Sequence, residues 1–476
     1  MPGAALLVAS GLGLAVAGAA CDSSESSAVG GSGLGTSAGG GSGQGGATSS
    51  SGGAGTGGSG GSTPTARFPL TLSAGERFLR EASGQPFLFH GDTGWSLIAQ
   101  LDLPQAEQYL DDRSAKGSTV ILVNLLEHRF ADNAPSNAYG EPPFTVAGDY
   151  ATPNEAYFAH VDAVLQAAED RGLLVLLAPS YLGYGGGDEG FYQEMVANGA
   201  DKLEAYGQFL GARYAPQPNI LWLHAGDFDP PDQSLVQAIA DGIRAEDDVH
   251  LCSAHTSRGE AASDVWGQAS WLDVDNVYTD AEPFGPSLGL YQSSTRPFFL
   301  IEAYYEGEHD MSEQAIRYQA YAPLLAGAMG QIFGNNPIWC FGAATCLGST
   351  APPTSWQAQL DGRGSLDMAI LAQIFGSVAW QRLVPDAALL VANDAEAIAA
   401  RADDGSFALV YARALGSIDI DMSGFASALR VDRIDPTDGG VVALAGAPVP
   451  AEGTYQIALT DLNATGTSDW IVRLAQ

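Results

Sequence analysis

Two carboxylates stand where apolar runs end: Asp227 after Asn219-Ile-Leu-Trp-Leu-His224-Ala-Gly, and Glu302 after Phe-Phe-Leu-Ile. An apolar strand that delivers a carboxylate to its end incurs desolvation, which is tolerated when the group is paired or used. If both strands open onto one mouth, the pair is the minimal apparatus for cleaving a glycosidic bond, one group as acid/base and the other as nucleophile or water activator. Polar and aromatic residues gather at other strand ends: His90, Asp92 and Trp95 after the first, His224 on the fourth, His255 after the fifth, and Tyr304, Tyr305 and Glu306 after the seventh. Taken singly, His224 or His255 also reads as a hydrogen-bonded core histidine. Trp95, Tyr181, Tyr184, Tyr304, Tyr305 and Trp339 supply flat faces suited to sugar C–H surfaces, or ordinary packing. Other chemistries find less support. No strand runs into a G-x-S-x-G elbow, the histidines are scattered with no H-E-x-x-H, and Gly91-Asp92-Thr93-Gly94 lacks the third glycine of a dinucleotide loop. No metal and no cofactor is therefore expected.

The elements that must position these residues follow from the pattern. Eight short apolar runs, Phe87–Gly91, Val120–Leu125, Leu173–Pro179, Ile220–His224, His250–Ala254, Val277–Thr279, Phe298–Glu302 and Gly330–Phe333, read as strands. Amphipathic segments between them, clearest at Pro104–Lys116, Glu155–Asp170, Lys202–Tyr214, Ser234–Ala245 and Ser312–Gly327, read as helices. Eight β/α units predict an α/β fold, a (β/α)8 TIM barrel with its site at the strand C-termini. Beyond Pro385 the pattern changes to short alternating runs, Ala397–Ala402, Phe407–Ala412, Ile418–Met422, Leu429–Asp435, Gly453–Leu459 and Trp470–Leu474, which predict a C-terminal β-sandwich domain.

Within the 476 residues, Ala4 to Ala20 form an apolar run ending at Cys21, which resembles a lipoprotein signal with Cys21 lipidated. From Asp22 to Ala66 the chain is almost wholly Gly, Ser, Thr and Ala, a composition that cannot bury a core and reads as a tether. The expected division is a signal at 1–21, a linker at 22–66, a catalytic barrel at 67–385 and a sandwich at 386–476. The expected location is the cell surface or outer membrane through a lipid anchor, otherwise the periplasm or medium. Lys+Arg 20 against Asp+Glu 55 gives a net charge of −35, a field that repels phosphate backbones and anionic lipid, so nucleic acid is no partner and a membrane is reached only through the anchor. Cys340 and Cys346 are close enough in sequence to close a disulfide loop in an oxidising compartment, with Cys252 left as a buried thiol; all three also read as reduced packing residues.

Several motifs in order carry a resemblance. Gly91-Asp92-Thr93-Gly-Trp95 is followed by Tyr109-Leu-x-x-Arg113-x-x-Lys116-Gly117-x-Thr119-Val120-Ile121, then Asn137-Ala-Tyr139-Gly140-Glu141-x-Pro143-Phe144. Tyr206-Gly-x-Phe-Leu-x-x-Arg213-Tyr214, the strand from Asn219 to Asp227, Glu302-x-x-Tyr305-Glu306 and Gly334-Asn335-x-x-Ile338-Trp339 complete the set. From about Arg67 to Pro385 the chain resembles the apiosidase-like glycoside hydrolases, and the tail is similar to a module labelled as collagen-binding. The resemblance implies Asp227 as acid/base and Glu302 as nucleophile. It implies a carbohydrate substrate of the pectic, apiose-containing or related kind, cleaved with retention. Asp92, Trp95, Asn137, Tyr139, Tyr181, His224, His255, Tyr305 and Trp339 are the expected substrate-binding residues. Ala225-Gly226-Asp227 stands where the family commonly has Gly-Gly-Asp, and Ile301-Glu302-Ala303 where it has Gly-Glu-Pro, so the sugar is left open. The alternatives are hydrolysis of another glycan within the same clan, and a non-catalytic surface lipoprotein that binds carbohydrate on the same rim.

Overall fold

The computed structural model describes residues 67–280, 282–344 and 355–476. The signal-like run, Cys21, the linker and Cys346 lie outside the described residues; Cys340 is disulfide-bonded and Cys252 is a free, buried thiol. Among the described residues no helix is long and apolar enough to cross a membrane.

Eight parallel strands form one sheet: β1 (Phe89–Thr93), β2 (Val120–Asn124), β3 (Leu174–Ala178), β4 (Ile220–Ala225), β5 (Cys252–His255), β6 (Asp275–Tyr278), β7 (Phe298–Glu302) and β8 (Gly330–Phe333). A helix follows each strand: α1 (Leu103–Ala115), α2 (Glu155–Asp170), α3 (Tyr192–Tyr214), α4 (Ser234–Glu246), α5 (Ala262–Trp266), α6 (Phe284–Ser293), α7 (Glu313–Leu325) and α8 (Arg363–Gly376). Local chemistry starts them. Asp102 and Gln105 form a reciprocal capping box at α1, and the Asn154 and Ser312 side chains accept backbone N–H groups at α2 and α7. Helix α3 begins ten residues before the expected Lys202, because its chain continues through a non-helical Gly199 (φ 72°) that breaks the sequence pattern.

β1 pairs with both β2 and β8, so the sheet curls round; its two ends, β5 and β6, share no ladder. The seam is closed by a side chain. Asn276 Nδ2 donates to Ser253 Oγ at 2.9 Å and to the Ala254 carbonyl at 2.6 Å. Alternation along each strand sorts its residues. Phe89, Val120, Leu122, Leu174, Leu176, Leu221, Leu223, Phe299, Ile301 and Ile332 share one buried cluster, the barrel interior, which Phe68, Leu79 and Phe87 of the N-terminal segment join. Ile121, Val123, Val175, Leu177 and Trp222 instead meet the helices.

The tail forms a six-stranded antiparallel sheet facing a three-stranded one around Val410, Ile418, Ile420, Ile457 and Val472. All six expected strands are present. Three more, Leu383–Pro385, Leu390–Asn393 and Val441–Ala443, escaped because they are short, and Val441–Ala443 is wholly exposed, so no apolar alternation marks it. The barrel meets this sheet through Tyr321, Leu325 and Phe375 against Leu409, Tyr411 and Ile471. A fully buried charge cluster crosses the same boundary: Arg317 of α7 binds Asp469 through Nε at 2.7 Å and Nη2 at 2.8 Å, and Asp367 of α8 through Nη1 at 2.8 Å. Tyr411 donates to Asp469 at 2.8 Å. Removing one partner of a buried, bidentate pair leaves an uncompensated charge, which typically costs about 3–5 kcal/mol. Asp469→Ala should therefore destabilise by about 3 kcal/mol in denaturant unfolding, whereas a change under about 1 kcal/mol would show that Arg317 finds other partners.

Candidate active site

At the end of β4 the backbone leaves the strand through three consecutive residues of positive φ, Ala225 (65°), Gly226 (139°) and Asp227 (50°). For Ala and Asp this conformation carries on the order of 1–3 kcal/mol of strain each, which surrounding contacts must hold in place. Only glycine fits at 226, since a Cβ there would run into the Tyr181 ring. The reward is position. Tyr181, just beyond β3, donates its hydroxyl hydrogen to Asp227 Oδ2 at 2.7 Å, and the Asp227 N–H donates to His255 Nδ1 at 3.2 Å.

Glu302 is placed by a second irregularity. Alternation with Phe299 and Ile301 in the interior would turn it toward the helices, but the β6–β7 register shifts between Leu300 and Glu302, and the carboxylate enters the mouth. There His255 Nε2 contacts Glu302 Oε2 at 3.0 Å. Tyr305 also hydrogen-bonds Glu302 and accepts the Trp95 Nε1–H at 3.0 Å. One oxygen of Asp227, one of Glu302 and one ring nitrogen of His255 all lie within 4.8 Å of one another.

These groups set one another's protonation. Burial and then the Asp227 charge raise the Glu302 carboxyl above its ordinary range, against the opposing pull of the His255 hydrogen bond. Burial works against the His255 imidazolium, but the Glu302 hydrogen bond and the charges of Asp227 and Glu302 outweigh it, so its pKa is raised. Both protonation states of the ring have partners. Neutral, Nδ1 accepts from Asp227 N–H while Nε2–H donates to Glu302; charged, Nδ1–H has the Thr256 carbonyl at 3.1 Å and Asp227 Oδ1 at 3.9 Å. An oxygen–nitrogen–oxygen set of this kind would also suit a divalent cation, a grouping that the scattered histidines of the sequence did not reveal.

The carboxylates open into a cavity of about 340 Å³. Trp95, Tyr181, Tyr305 and Trp339 line it as expected from sequence, and so does Tyr184; His255 stands behind, bonded to the two acids. With His255, five expected binding residues do not line it. Asp92 alternates to the helix side of β1, where it meets Tyr109 Oη at 2.9 Å and Arg113 Nη1 at 3.2 Å. His224 likewise faces outward from β4, its ring 4.7 Å from that of Trp271; burial, with Arg244 nearby, pushes its pKa down to about 3. Asn137 is buried in a loop, where its Oδ1 accepts from the N–H groups of Tyr139 and Glu141. Tyr139 is 56% exposed and its hydroxyl accepts from Leu103 N–H at 3.0 Å. Instead, Asn124, Phe130, Glu189, Arg258, Tyr278 and Glu308 complete the wall. Asn124 and Tyr278 could have been found by extending the strand alternation to the rim; the others come from loops that carry no periodic signal.

Comparison with known proteins agrees with this architecture. A solved glycoside hydrolase shares 22% identity and a TM-score of 0.73, the match covering 87% of this chain and 98% of that one. A glycoside hydrolase family 5 structure from Bacteroides vulgatus also shares 22% identity and a TM-score of 0.73, over 86% of this chain and 93% of its own. At that identity the likeness establishes the fold. No curated protein matches the sequence. The family model "Apiosidase-like, catalytic domain" matches residues 73–382, the whole span from the N-terminal segment to the end of α8 and beyond, and the chain therefore belongs to the apiosidase-like glycoside hydrolases.

Proposed function

We propose that the protein hydrolyses glycosidic bonds in the side chains of plant-type polysaccharides, apiose-containing or related, by a retaining two-step displacement. Asp227 is the acid/base and Glu302 the nucleophile. The observation that carries this reading is the approach of the two carboxylates to within 4.8 Å, oxygen to oxygen, at one end of an aromatic-walled cavity. A close pair supports the retaining arrangement, in which the carboxyl groups stand about 5–5.5 Å apart, over the inverting one, in which about 6.5–9.5 Å leaves room for a water. The family to which the barrel belongs supports the class of sugar.

In the first step Asp227 protonates the departing oxygen while Glu302 attacks the anomeric carbon, forming a glycosyl ester. In the second, Asp227 takes a proton from water, which displaces Glu302 from the same carbon. His255 and Tyr305 hold the Glu302 carboxylate, and Tyr181 holds Asp227, so little reorganisation is needed at the moment of attack. Trp95, Tyr181, Tyr305 and Trp339 offer ring faces to the sugar.

The first test is to incubate the protein with plant-wall oligosaccharides and identify released sugars, with and without EDTA; release that EDTA leaves unchanged is expected. Glu302→Gln should nearly abolish turnover of every substrate. Asp227→Asn should be worst with poor leaving groups, and with an activated aryl glycoside azide should restore turnover, giving a glycosyl azide of the substrate's own configuration. Near-normal activity of Glu302→Gln, or loss of activity in EDTA, would contradict the assignment.

A pH profile follows from the buried pair. Glu302 must be ionised to attack, and its pKa is raised by burial and by Asp227, so kcat/KM should climb through an acid limb lying above the ordinary glutamate value of about 4.3. The limb belongs to Glu302 together with its hydrogen-bonded partner His255 rather than to one residue. A limb at or below about 4 would mean that Glu302 is not the group whose ionisation starts the reaction.

A further inference from the structure

Asn124 ends β2 and falls on the interior side of the strand with Val120 and Leu122, which places its side chain at the top of the barrel, where it lines the catalytic cavity. It is 3% exposed, and its Oδ1 has no hydrogen-bond partner. The other end of the amide is engaged: Nδ2 points to Glu127 Oε2 at 3.5 Å. Glu127 is itself fixed as an acceptor by Ser96 Oγ at 3.0 Å and by the N–H groups of His128 and Phe130, each at 3.1 Å. That arrangement decides which way round the amide sits, since a reversed Asn124 would set its carbonyl against a carboxylate. A buried acceptor without a donor is costly to leave unpaired, and one that faces a cavity is satisfied when a ligand there supplies the donor.

We propose that Asn124 is a sugar-binding residue: its Oδ1 accepts a hydrogen bond from one hydroxyl of the glycosyl unit held against Asp227 and Glu302. Glu127 acts through it as a positioning residue. The inference rests on the proposed function for the nature of the occupant, and adds to it a requirement for a specific hydroxyl. Among the carboxylates of the cavity wall, the Asn124 carbonyl is a neutral acceptor throughout the reaction. A site built to bond a hydroxyl discriminates strongly against an analogue that lacks it, because the protein's buried group is then left unpaired.

The experiment uses free D-apiose, L-rhamnose, L-arabinose and D-galacturonate as probes, with binding followed by the fluorescence of Trp95 and Trp339 at the cavity wall. For whichever sugar saturates the signal, each monodeoxy analogue is compared with its parent on the wild-type protein and on Asn124→Ala. One deoxy analogue should bind the wild type roughly ten- to a hundredfold more weakly, Asn124→Ala should weaken the parent sugar by a similar factor, and the two losses should not add. Glu127→Gln, which lets the Asn124 amide turn, should weaken the parent sugar while leaving that deoxy analogue unaffected. Additive losses, equal binding of every deoxy analogue to the wild type, or no saturable signal with any of the four sugars would overturn the proposal. The wild-type comparison needs no variant to fold. A sugar that binds with this pattern while none of its glycosides is hydrolysed would refute the catalytic reading and leave the Asn124 assignment standing.

Discussion

A buried imidazole set between two acidic residues, bonded to the carboxylate of Glu302 and to the backbone N–H of Asp227, is the contact on which this end of the barrel depends. Two ionised oxygens within 4.8 Å repel by about 3 kcal/mol at the effective dielectric of a protein site, and burial adds a further penalty. His255 relieves both, donating to Glu302 and holding the Asp227 backbone through its other nitrogen. Burial, and then the nearby Asp227 charge, keep the Glu302 pKa raised.

Regular structure cannot deliver this geometry. Perfect alternation along β7 would turn Glu302 away from the mouth, and a relaxed exit from β4 would not bring the Asp227 N–H onto His255. The register shift before Glu302 and the three positive-φ residues from Ala225 to Asp227 are two of the places where the described chain departs from ideal geometry, and these two bear the carboxylates. Strain of this kind survives only when neighbours over-determine it. Tyr181 packs on Gly226 and bonds Asp227; Tyr305 and Trp95 brace Glu302. Behind them the barrel is closed by Asn276 at its seam and fastened to the C-terminal sheet through Arg317, so rigid elements stand under the strained ones.

Much of this was legible in the sequence, for a physical reason. Parallel strands buried on both faces read as apolar runs, and all eight appear, β7 and β8 with the expected limits. The two carboxylates, Trp95, Tyr181, Tyr305 and Trp339 do come together in one cavity. Asp92 and His224 stand near strand ends, but nearness to the end does not decide which side of the strand a residue faces. Alternation sends both to the helix layer, where Arg113 and Trp271 occupy them. The same alternation, carried to the rim, would have found Asn124. It would also have rejected Glu302, whose orientation depends on a register shift that no residue pattern announces. Arg258, Glu189 and Glu308 come from loops, where tertiary packing alone decides what faces the cavity.

In the two-step displacement proposed for Asp227 and Glu302, the carboxylate of Glu302 attacks the anomeric carbon itself and no water stands between. The most direct measurement is the anomeric configuration of the sugar at the instant of release, followed by proton NMR before mutarotation, on any glycoside the protein cleaves. The account predicts that the first-formed sugar keeps the configuration of the bond that was broken. A first-formed sugar of opposite configuration would contradict it, and would mean that Glu302 or Asp227 activates water directly.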